Sequence, residues 1–133
     1  MQVYEEKYFK IFIVDENVQF RNTLASRLRL QGFSVEFATG GFHLLHILEK
    51  HKDCSLVIMH EDMLDMSAEE IISLVRTTKN KTDLPILFIS HGGNEEEICE
   101  MIFNGANEYI IKTENFQPIV DRAKKYFTLL KNS

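Results

Sequence analysis

The feature that most constrains the fold of this chain is a regular alternation of short, strand-like apolar runs with longer stretches of helical periodicity. Five such runs occur, and a stretch with apolar residues every three or four positions follows each of them. The runs are 11–14, 34–38, 55–59, 84–89 and 109–111. This alternation is typical of βα units on a parallel sheet with helices on both faces. We therefore predict an α/β fold, a doubly wound five-stranded parallel sheet.

Capping residues mark the ends of the predicted third and fourth helices. Ser67, with Glu70 three residues later, has the spacing of a capping box. Asn94 and Glu97 have the spacing of an N-cap and its third helical residue. Gly105 follows the apolar stripe of the fourth helix, where a glycine commonly ends a helix. These local signals agree with the alternation of strands and helices.

Length, charge and composition narrow the class of protein. The 133 residues, 44% of them hydrophobic, suffice for one core, so we expect a single domain over residues 1–133 with no output domain in it. The net charge is -5 and the basic residues are scattered, which argues against nucleic-acid binding. No apolar run approaches the roughly 18 residues of a membrane span, and Cys54 and Cys99 form no CxxC pair. We expect a cytoplasmic protein that binds neither nucleic acid nor membrane.

Polar residues follow four of the five predicted strands. Asp15 and Glu16 follow the first strand, residues 60–62 the third, Ser90 the fourth and Lys112 the fifth. In a doubly wound sheet, the ligand crevice lies beyond the carboxyl ends of the strands, where the strand order reverses. We expect these residues to meet there. An acid pair, a hydroxyl and a lysine around one crevice are suited to a phosphoryl group with a divalent cation.

Four segments in order along the chain carry a family resemblance. They are residues 13–17, 56–59, 85–90 and 105–112. Through them the chain resembles the receiver domains of two-component response regulators, over residues 9–130. The resemblance implies a flavodoxin-like (βα)5 fold and a role in signal transduction rather than an enzymatic activity.

The resemblance also assigns roles to individual residues. Asp15 and Glu16 match the acidic pair of the family pocket, and Lys112 matches its amine. Ser90 matches the hydroxyl that follows the phosphoryl group in the active state, and Tyr109 matches the aromatic switch residue. We expect Ser90 and Tyr109 to remain able to switch.

The chain departs from the family pattern at the phosphoacceptor. The position of the aspartate directly after the third strand is taken by His60, which can form no acyl phosphate. The usual proline and glycine of the next loop are Leu64 and Ala68. Lys112 is followed by Thr113 instead of proline, so we expect a trans bond there or a rearranged loop. Because an imidazole supplies no third carboxylate, Mg²⁺ binding is expected to be weak or absent, and no cofactor is predicted.

Two interpretations of His60 follow from its surroundings. In the first, His60 pairs with Asp15 or Glu16, which would favour its charged form. In the second, His60 and His91 surround the crevice together with carboxylates from Asp15, Glu16 and Asp62. That set of ligands suits zinc or nickel better than magnesium, and it defines the alternative function, a receiver-derived metal or anion sensor.

Three further alternatives concern chemistry at the crevice. Asp62 could serve as a displaced acceptor, but we interpret Asp62 and His91 as residues of the pocket rim. His60 could itself be phosphorylated, although only its residue type favours this. A flavodoxin-like enzyme is disfavoured because no phosphate-binding glycine loop follows the first strand, where Asp15 and Glu16 would repel a cofactor phosphate.

The function that we predict is that of an atypical receiver, a pseudo-receiver that acts by phosphorylation-independent protein–protein interaction. The family resemblance implies a partner surface made of the fourth helix, the fifth strand and the fifth helix. Here that surface includes residues 94–104, Tyr109 and the exposed side of the last helix. The resemblance also implies that two copies of the chain can form a homodimer through the same surface.

Overall fold

The computed structural model describes residues 4–133 and contains five strands and five helices. The strands are β1 (Lys10–Val14), β2 (Ser34–Ala38), β3 (Cys54–His60), β4 (Ile86–Ser90) and β5 (Glu108–Ile111). The helices are α1 (Val18–Leu30), α2 (Gly41–Lys50), α3 (Ala68–Arg76), α4 (Glu95–Asn104) and α5 (Gln117–Lys131). A short 3-10 turn at Glu6–Tyr8, which the periodicity does not predict, precedes β1. None of the helices formed by residues 4–133 is both long and apolar enough to cross a bilayer.

The five strands form one parallel sheet in the order β2-β1-β3-β4-β5, which confirms the predicted doubly wound fold. The chain leaves β1 for β2 on one side and returns to β3 on the other, so the strand order reverses between β1 and β3. Val14 pairs with Met59, and His60 pairs with Ile89. The residues that end β1, β3 and β4 therefore lie side by side at one edge of the sheet.

Helices cover both faces of the sheet. Buried residues of α1 and α5 pack against one face, among them Leu24, Leu28 and Phe127. Buried residues of α2, α3 and α4 pack against the other, among them Leu44 and Ile71. Because both faces are covered, β1 and β3 are almost fully buried near their carboxyl ends, as parallel strands in this architecture require. These central strands provide a rigid base for the polar residues that follow them.

The predicted caps form as hydrogen bonds. The Ser67 side chain accepts from the backbone N–H of Glu70 at 3.1 Å, and Asn94 accepts from the N–H of Glu97 at 2.9 Å. Gly105 has a φ of 132°, in the left-handed region that favours glycine, and directly follows α4. Both helices thus begin where the sequence predicts.

Candidate functional site

The buried polar side chains of residues 4–133 lie together. They are Asp15, His60 and Ser90, with exposed fractions of 4%, 3% and 0%. They stand at the carboxyl ends of β1, β3 and β4, which are neighbours in the sheet. Burial of a polar group is unfavourable unless a partner compensates it, so their placement marks the predicted crevice as a site formed at some cost in stability.

Ser90 lies at the centre of a complete hydrogen-bond network. Its hydroxyl donates to Oε2 of Glu61 at 2.9 Å, and the Tyr109 hydroxyl donates to Ser90 Oγ at 2.7 Å. The backbone N–H of Gly92 also donates to Ser90 Oγ, at 3.1 Å. The other oxygen of Glu61 accepts the backbone N–H of His91 at 2.6 Å. The Glu61 carboxylate therefore accepts hydrogen bonds from two neighbouring donors at the end of β4, the Ser90 hydroxyl and the His91 N–H.

Glu61 is a crevice residue to which the sequence analysis assigned no role of its own. The sequence places it directly after His60 within the polar cluster 60–62 that was expected at the crevice. Its adjacency to the phosphoacceptor position was the available signal. Only the folded loop brings its carboxylate to Ser90, 29 residues away along the chain.

Tyr109 is directed inward, toward the crevice. Its ring packs against Phe88 with a centroid distance of 5.5 Å, and its side chain is half-buried. A Cβ atom at Gly93 would lie 2.7 Å from the Tyr109 hydroxyl oxygen and 2.6 Å from Oε2 of Glu97. The glycine therefore allows the hydroxyl to approach Ser90 closely.

His60, Asp62 and His91 form a second group at the same end of the sheet. The backbone N–H of Asp62 donates to His60 Nδ1 at 3.2 Å. The side chains of His91 and Asp62 are joined through Nε2 and Oδ2 at 2.7 Å. The two imidazole rings meet edge to face, with centroids 4.9 Å apart. Both rim residues are exposed, whereas His60 is buried.

The expected pairing of His60 with Asp15 or Glu16 does not occur. Asp15 Oδ1 accepts from the backbone N–H of Asn17 at 2.8 Å, and Glu16 Oε1 accepts from that of Leu64 at 3.3 Å. The Asp15 carboxylate therefore bonds within its own loop, and the Glu16 carboxylate bonds to the loop that follows β3. Asp15 Oδ2 and His60 Nε2 are left buried without a hydrogen-bond partner in the described part of the chain.

The expected charged form of His60 is also not favoured. Burial lowers the pKa of His60 below its usual value, and this effect outweighs the opposing influence of the Asp15 carboxylate. The Lys112 ammonium lowers the pKa further. His60 is therefore neutral at neutral pH. Because Nδ1 accepts a hydrogen bond, the proton of the neutral ring is assigned to Nε2.

Lys112 reaches the crevice from β5 and contacts an aromatic ring. Its ammonium lies 4.2 Å from the centroid of the Phe20 ring, a cation–π contact. Its backbone N–H donates to the carbonyl oxygen of Ser90 at 2.6 Å, which continues the β4–β5 ladder. The bond to Thr113 is trans, and the Thr113 hydroxyl accepts from the N–H of Asn115 at 3.1 Å in a local turn.

Comparison with protein families identifies the module to which this chain belongs. The family described as "Response regulator receiver domain" matches residues 11–124. This chain belongs to the response regulator receiver family. It is a receiver domain of two-component signal transduction.

Curated relatives of this receiver include chemotaxis proteins. It is 29% identical to "Chemotaxis protein CheY homolog" of Campylobacter jejuni over 116 residues, which cover 86% of this chain and 88% of that protein. It is 28% identical to "Chemotaxis protein CheY-3" of Vibrio cholerae over 131 residues, which cover 98% of this chain and 100% of that protein. These relatives span the same length as the receiver.

Solved structures agree in fold at lower identity. The chemotaxis response regulator CheY4 of Vibrio cholerae superposes with a TM-score of 0.80 at 23% identity, covering 89% of this chain and 98% of that one. A probable two-component system response regulator/GGDEF domain protein gives a TM-score of 0.86 at 21% identity, covering 95% of this chain and 52% of that one. At these identities the likeness establishes the receiver fold alone.

Proposed function

We propose that this receiver signals without phosphorylation, as a pseudo-receiver whose switch residues are held by its own Glu61. The observation that carries the proposal is that the Glu61 carboxylate accepts hydrogen bonds from both the Ser90 hydroxyl and the His91 N–H. Hydrogen bonds to a charged group contribute about 1.5–3 kcal/mol each, and the partial exposure of Glu61 places these at the lower end. An anion belonging to the chain thus occupies donors that a phosphoryl group would need.

The chemistry at the end of β3 supports the same proposal. An acyl phosphate requires a carboxylate, and the residue at this position is His60, which is buried and neutral. A phosphoryl group would also have to displace Glu61 from Ser90 and then lie close to a like charge. Both requirements oppose transfer of a phosphoryl group to this crevice.

The residues present do not fit Mg²⁺, the cation usually associated with a phosphoryl group. Mg²⁺ requires near-octahedral oxygen coordination. His60 contributes nitrogen at the centre of the crevice, both oxygens of Glu61 accept hydrogen bonds, and so does Oε1 of Glu16. Asp15 Oδ2 is a free buried carboxylate oxygen, but one such atom does not make a magnesium site. We therefore propose weak or no Mg²⁺ binding.

The output of the module is assigned to the surface formed by α4, β5 and α5. The strand β5 is at the edge of the sheet, and α4 is the least buried of the helices that flank it. Only Met101 of α4 is buried, whereas each of the other four helices buries three or four residues. Phe103, also on α4, is 90% exposed. An apolar side chain of this kind on a loosely packed helix is typical of an interaction surface.

Charge favours a second copy of the chain as the partner on this surface. The helix α4 carries four exposed glutamates and no basic residue, whereas α5 carries four basic residues and one aspartate. Two of these basic residues, Arg122 and Lys125, pair with Glu108 of β5, while Lys124 and Lys131 remain exposed. A two-fold dimer would place the acidic helix of each copy near the basic helix of the other.

The direct test is whether the protein responds to beryllofluoride, a mimic of the phosphoryl group. We expect that Mg²⁺ followed by beryllofluoride leaves the amide NMR signals of Asp15, His60, Ser90 and Lys112 unchanged. The control is His60→Asp, which returns a carboxylate to β3 and is expected to gain a response. Shifts centred on the crevice of the unmodified protein would overturn the proposal.

The partner surface is tested by oligomeric state, measured by light scattering during size-exclusion chromatography. We expect a dimer that Phe103→Asp converts to a monomer. Leu30→Asp is the matched control, because Leu30 is 80% exposed on α1, outside the surface. A monomeric unmodified protein, or equal effects of the two variants, would contradict the assignment to a second copy.

A further inference from the structure

We propose that His60, Asp62 and His91 form a three-ligand binding site for Zn²⁺ at the mouth of the crevice. The site does not depend on the phosphorylation-independent function proposed above. It also differs from the set of ligands expected from sequence, because Asp15 and Glu16 are not among its ligands. Asp62 joins the two imidazoles: its backbone N–H donates to His60 Nδ1, and its carboxylate pairs with His91 Nε2. Zn²⁺ at His60 Nδ1 would replace the hydrogen bond from the Asp62 N–H, because that nitrogen has one lone pair.

The distances between the potential ligand atoms suit zinc. Zn–N and Zn–O bonds of about 2.0–2.2 Å place neighbouring atoms of a tetrahedron about 3.3 Å apart. Asp62 Oδ2 lies 3.8 Å from His60 Nδ1 and 2.7 Å from His91 Nε2, so the two distances bracket that value. All three ligand atoms lie within 4.8 Å of one another. The exposed side chains of Asp62 and His91 would have to move to bring the set to tetrahedral spacing.

The site combines one fixed ligand with two that can adjust. The His60 side chain is 3% exposed and belongs to β3, so its position is set by the sheet. The side chains of His91 and Asp62 are 57% and 68% exposed, and both follow the ends of strands. An ion can therefore enter from solvent and draw the two rim residues toward His60. Three protein ligands leave a fourth tetrahedral position for water or an anion.

Two unpartnered buried atoms support a bound metal. His60 Nε2 and Asp15 Oδ2 have no hydrogen-bond partner among residues 4–133, although both are buried. A histidine that binds a metal through one ring nitrogen commonly donates the other N–H to a carboxylate. With Zn²⁺ at Nδ1, the Nε2–H group would need a carboxylate acceptor, and Asp15 Oδ2 is the buried carboxylate oxygen without a partner in the described residues. A metal would thus give both atoms a role.

The donor chemistry selects zinc over magnesium. Two imidazole nitrogens and one carboxylate oxygen are typical ligands of zinc catalytic and regulatory sites, whereas magnesium requires oxygen ligands. The alternative to a Zn²⁺ site is that His91 and Asp62 form only a surface pair that binds no metal.

The test is calorimetric titration of the full chain with Zn²⁺, accompanied by Co²⁺ titration followed in the visible spectrum. We expect one Zn²⁺ per chain with a Kd at or below about 1 μM. We expect Co²⁺ to give the strong visible bands of tetrahedral coordination. Mg²⁺ in large excess should not compete.

Two single-histidine variants separate the site from other surface histidines. His91→Ala should weaken Zn²⁺ binding more than about tenfold, the lower bound of the loss seen for outer-shell partners. His46→Ala removes an exposed histidine of α2 and should leave the affinity unchanged. Both changes are at the surface, so neither should prevent folding. No Zn²⁺ binding by the unmodified protein, or equal affinities of the two variants, would overturn the proposal.

Discussion

The two halves of the crevice differ in how well their polar groups are satisfied. On the β4 side, the Ser90 hydroxyl donates to Glu61 and accepts from Tyr109. On the β1 and β3 side, Asp15 Oδ2 and His60 Nε2 are equally buried but have no partner in the described residues. The two halves are adjacent in the sheet and similarly buried. They therefore differ mainly in hydrogen bonding.

The difference shows how two consecutive residues change a receiver crevice. A buried polar atom without a partner costs about 1–3 kcal/mol, so each half must either be closed by the chain or await a ligand. The Glu61 carboxylate accepts the hydroxyl of Ser90 in the half that contains Ser90 and Tyr109. In the other half, His60 places an imidazole where, in the proposed function, an acceptor carboxylate is lost. We infer that the switch half has a preset state and that input enters through the His60 half.

The largest expected effect comes from placing a second carboxylate in the unsatisfied half. His60→Asp buries a charge beside Asp15, and an uncompensated buried charge costs about 3–5 kcal/mol. We expect a loss of stability of this order in urea denaturation, largely recovered on addition of Mg²⁺, which binds the folded state.

The control for this change is His60→Asn, which has a similar size but no charge. It should be more stable than His60→Asp without Mg²⁺ and should not respond to the cation. Equal stability of the two variants in both conditions would show that charge at this position is unimportant.

The second effect concerns the satisfied half. Glu61→Ala leaves the fully buried Ser90 hydroxyl without its carboxylate acceptor, so we expect a loss of about 1–2 kcal/mol. Glu61→Gln keeps one acceptor oxygen and should lose less. Urea denaturation measures the stability, and the ring signals of Tyr109 in NMR spectra report on the switch. If neither variant changes these signals, Glu61 does not hold the switch.

A smaller effect is expected from the Tyr109 hydroxyl. Tyr109→Phe removes one neutral hydrogen bond to Ser90 Oγ and should cost about 0.5–1.5 kcal/mol. Tyr8→Phe is the matched control, because Tyr8 is 55% exposed and lies outside the crevice. Thermal unfolding of both variants measures the difference. Identical unfolding temperatures would mean that the inward position of Tyr109 contributes no stability.

The smallest effect is expected at Asp65, a hydrogen-bonded carboxylate outside the crevice. Asp65 accepts hydrogen bonds from the backbone N–H groups of Gly41 and Phe42 at the start of α2, and these bonds hold the pKa of Asp65 below its usual value. Its contribution is therefore present above about pH 4 and is lost as the pH falls through the folded-state pKa. Asp65→Asn should cost at most about 1 kcal/mol near neutral pH.

The measurement for Asp65 is the stability of both proteins across an acid titration. The difference between the unmodified protein and Asp65→Asn should shrink toward zero as Asp65 becomes protonated. A difference that stays constant with pH would mean that the charge of Asp65 is not what stabilises the start of α2.

Local sequence signals predicted the elements of the fold well. The apolar runs located all five strands to within a few residues, and Ser67 and Asn94 form the predicted caps. The doubly wound parallel sheet also followed, because alternating βα units constrain the topology, whereas the strand order was not predicted. The short turn at Glu6–Tyr8 has no apolar periodicity and was therefore not predicted.

The partners of the site residues were predicted less well. The sequence placed Asp15, His60 and Ser90 at neighbouring strand ends, where they lie. It did not indicate that Asp15 bonds to Asn17 instead of His60, or that Glu61 reaches Ser90. Side-chain direction in a loop depends on backbone angles that no periodic pattern records.

The sequence by itself determined the family and the parallel sheet, because these depend on residue type and spacing along the chain, and it placed a histidine, His60, directly after the apolar run of the third strand. The tertiary structure decided the burial of His60, the hydrogen bonds from Ser90 and His91 to Glu61, and the grouping of His60 with Asp62 and His91. These properties depend on burial and on distances of a few ångströms between residues far apart in sequence. Desolvation and hydrogen bonding act over such distances, and only the folded chain sets them.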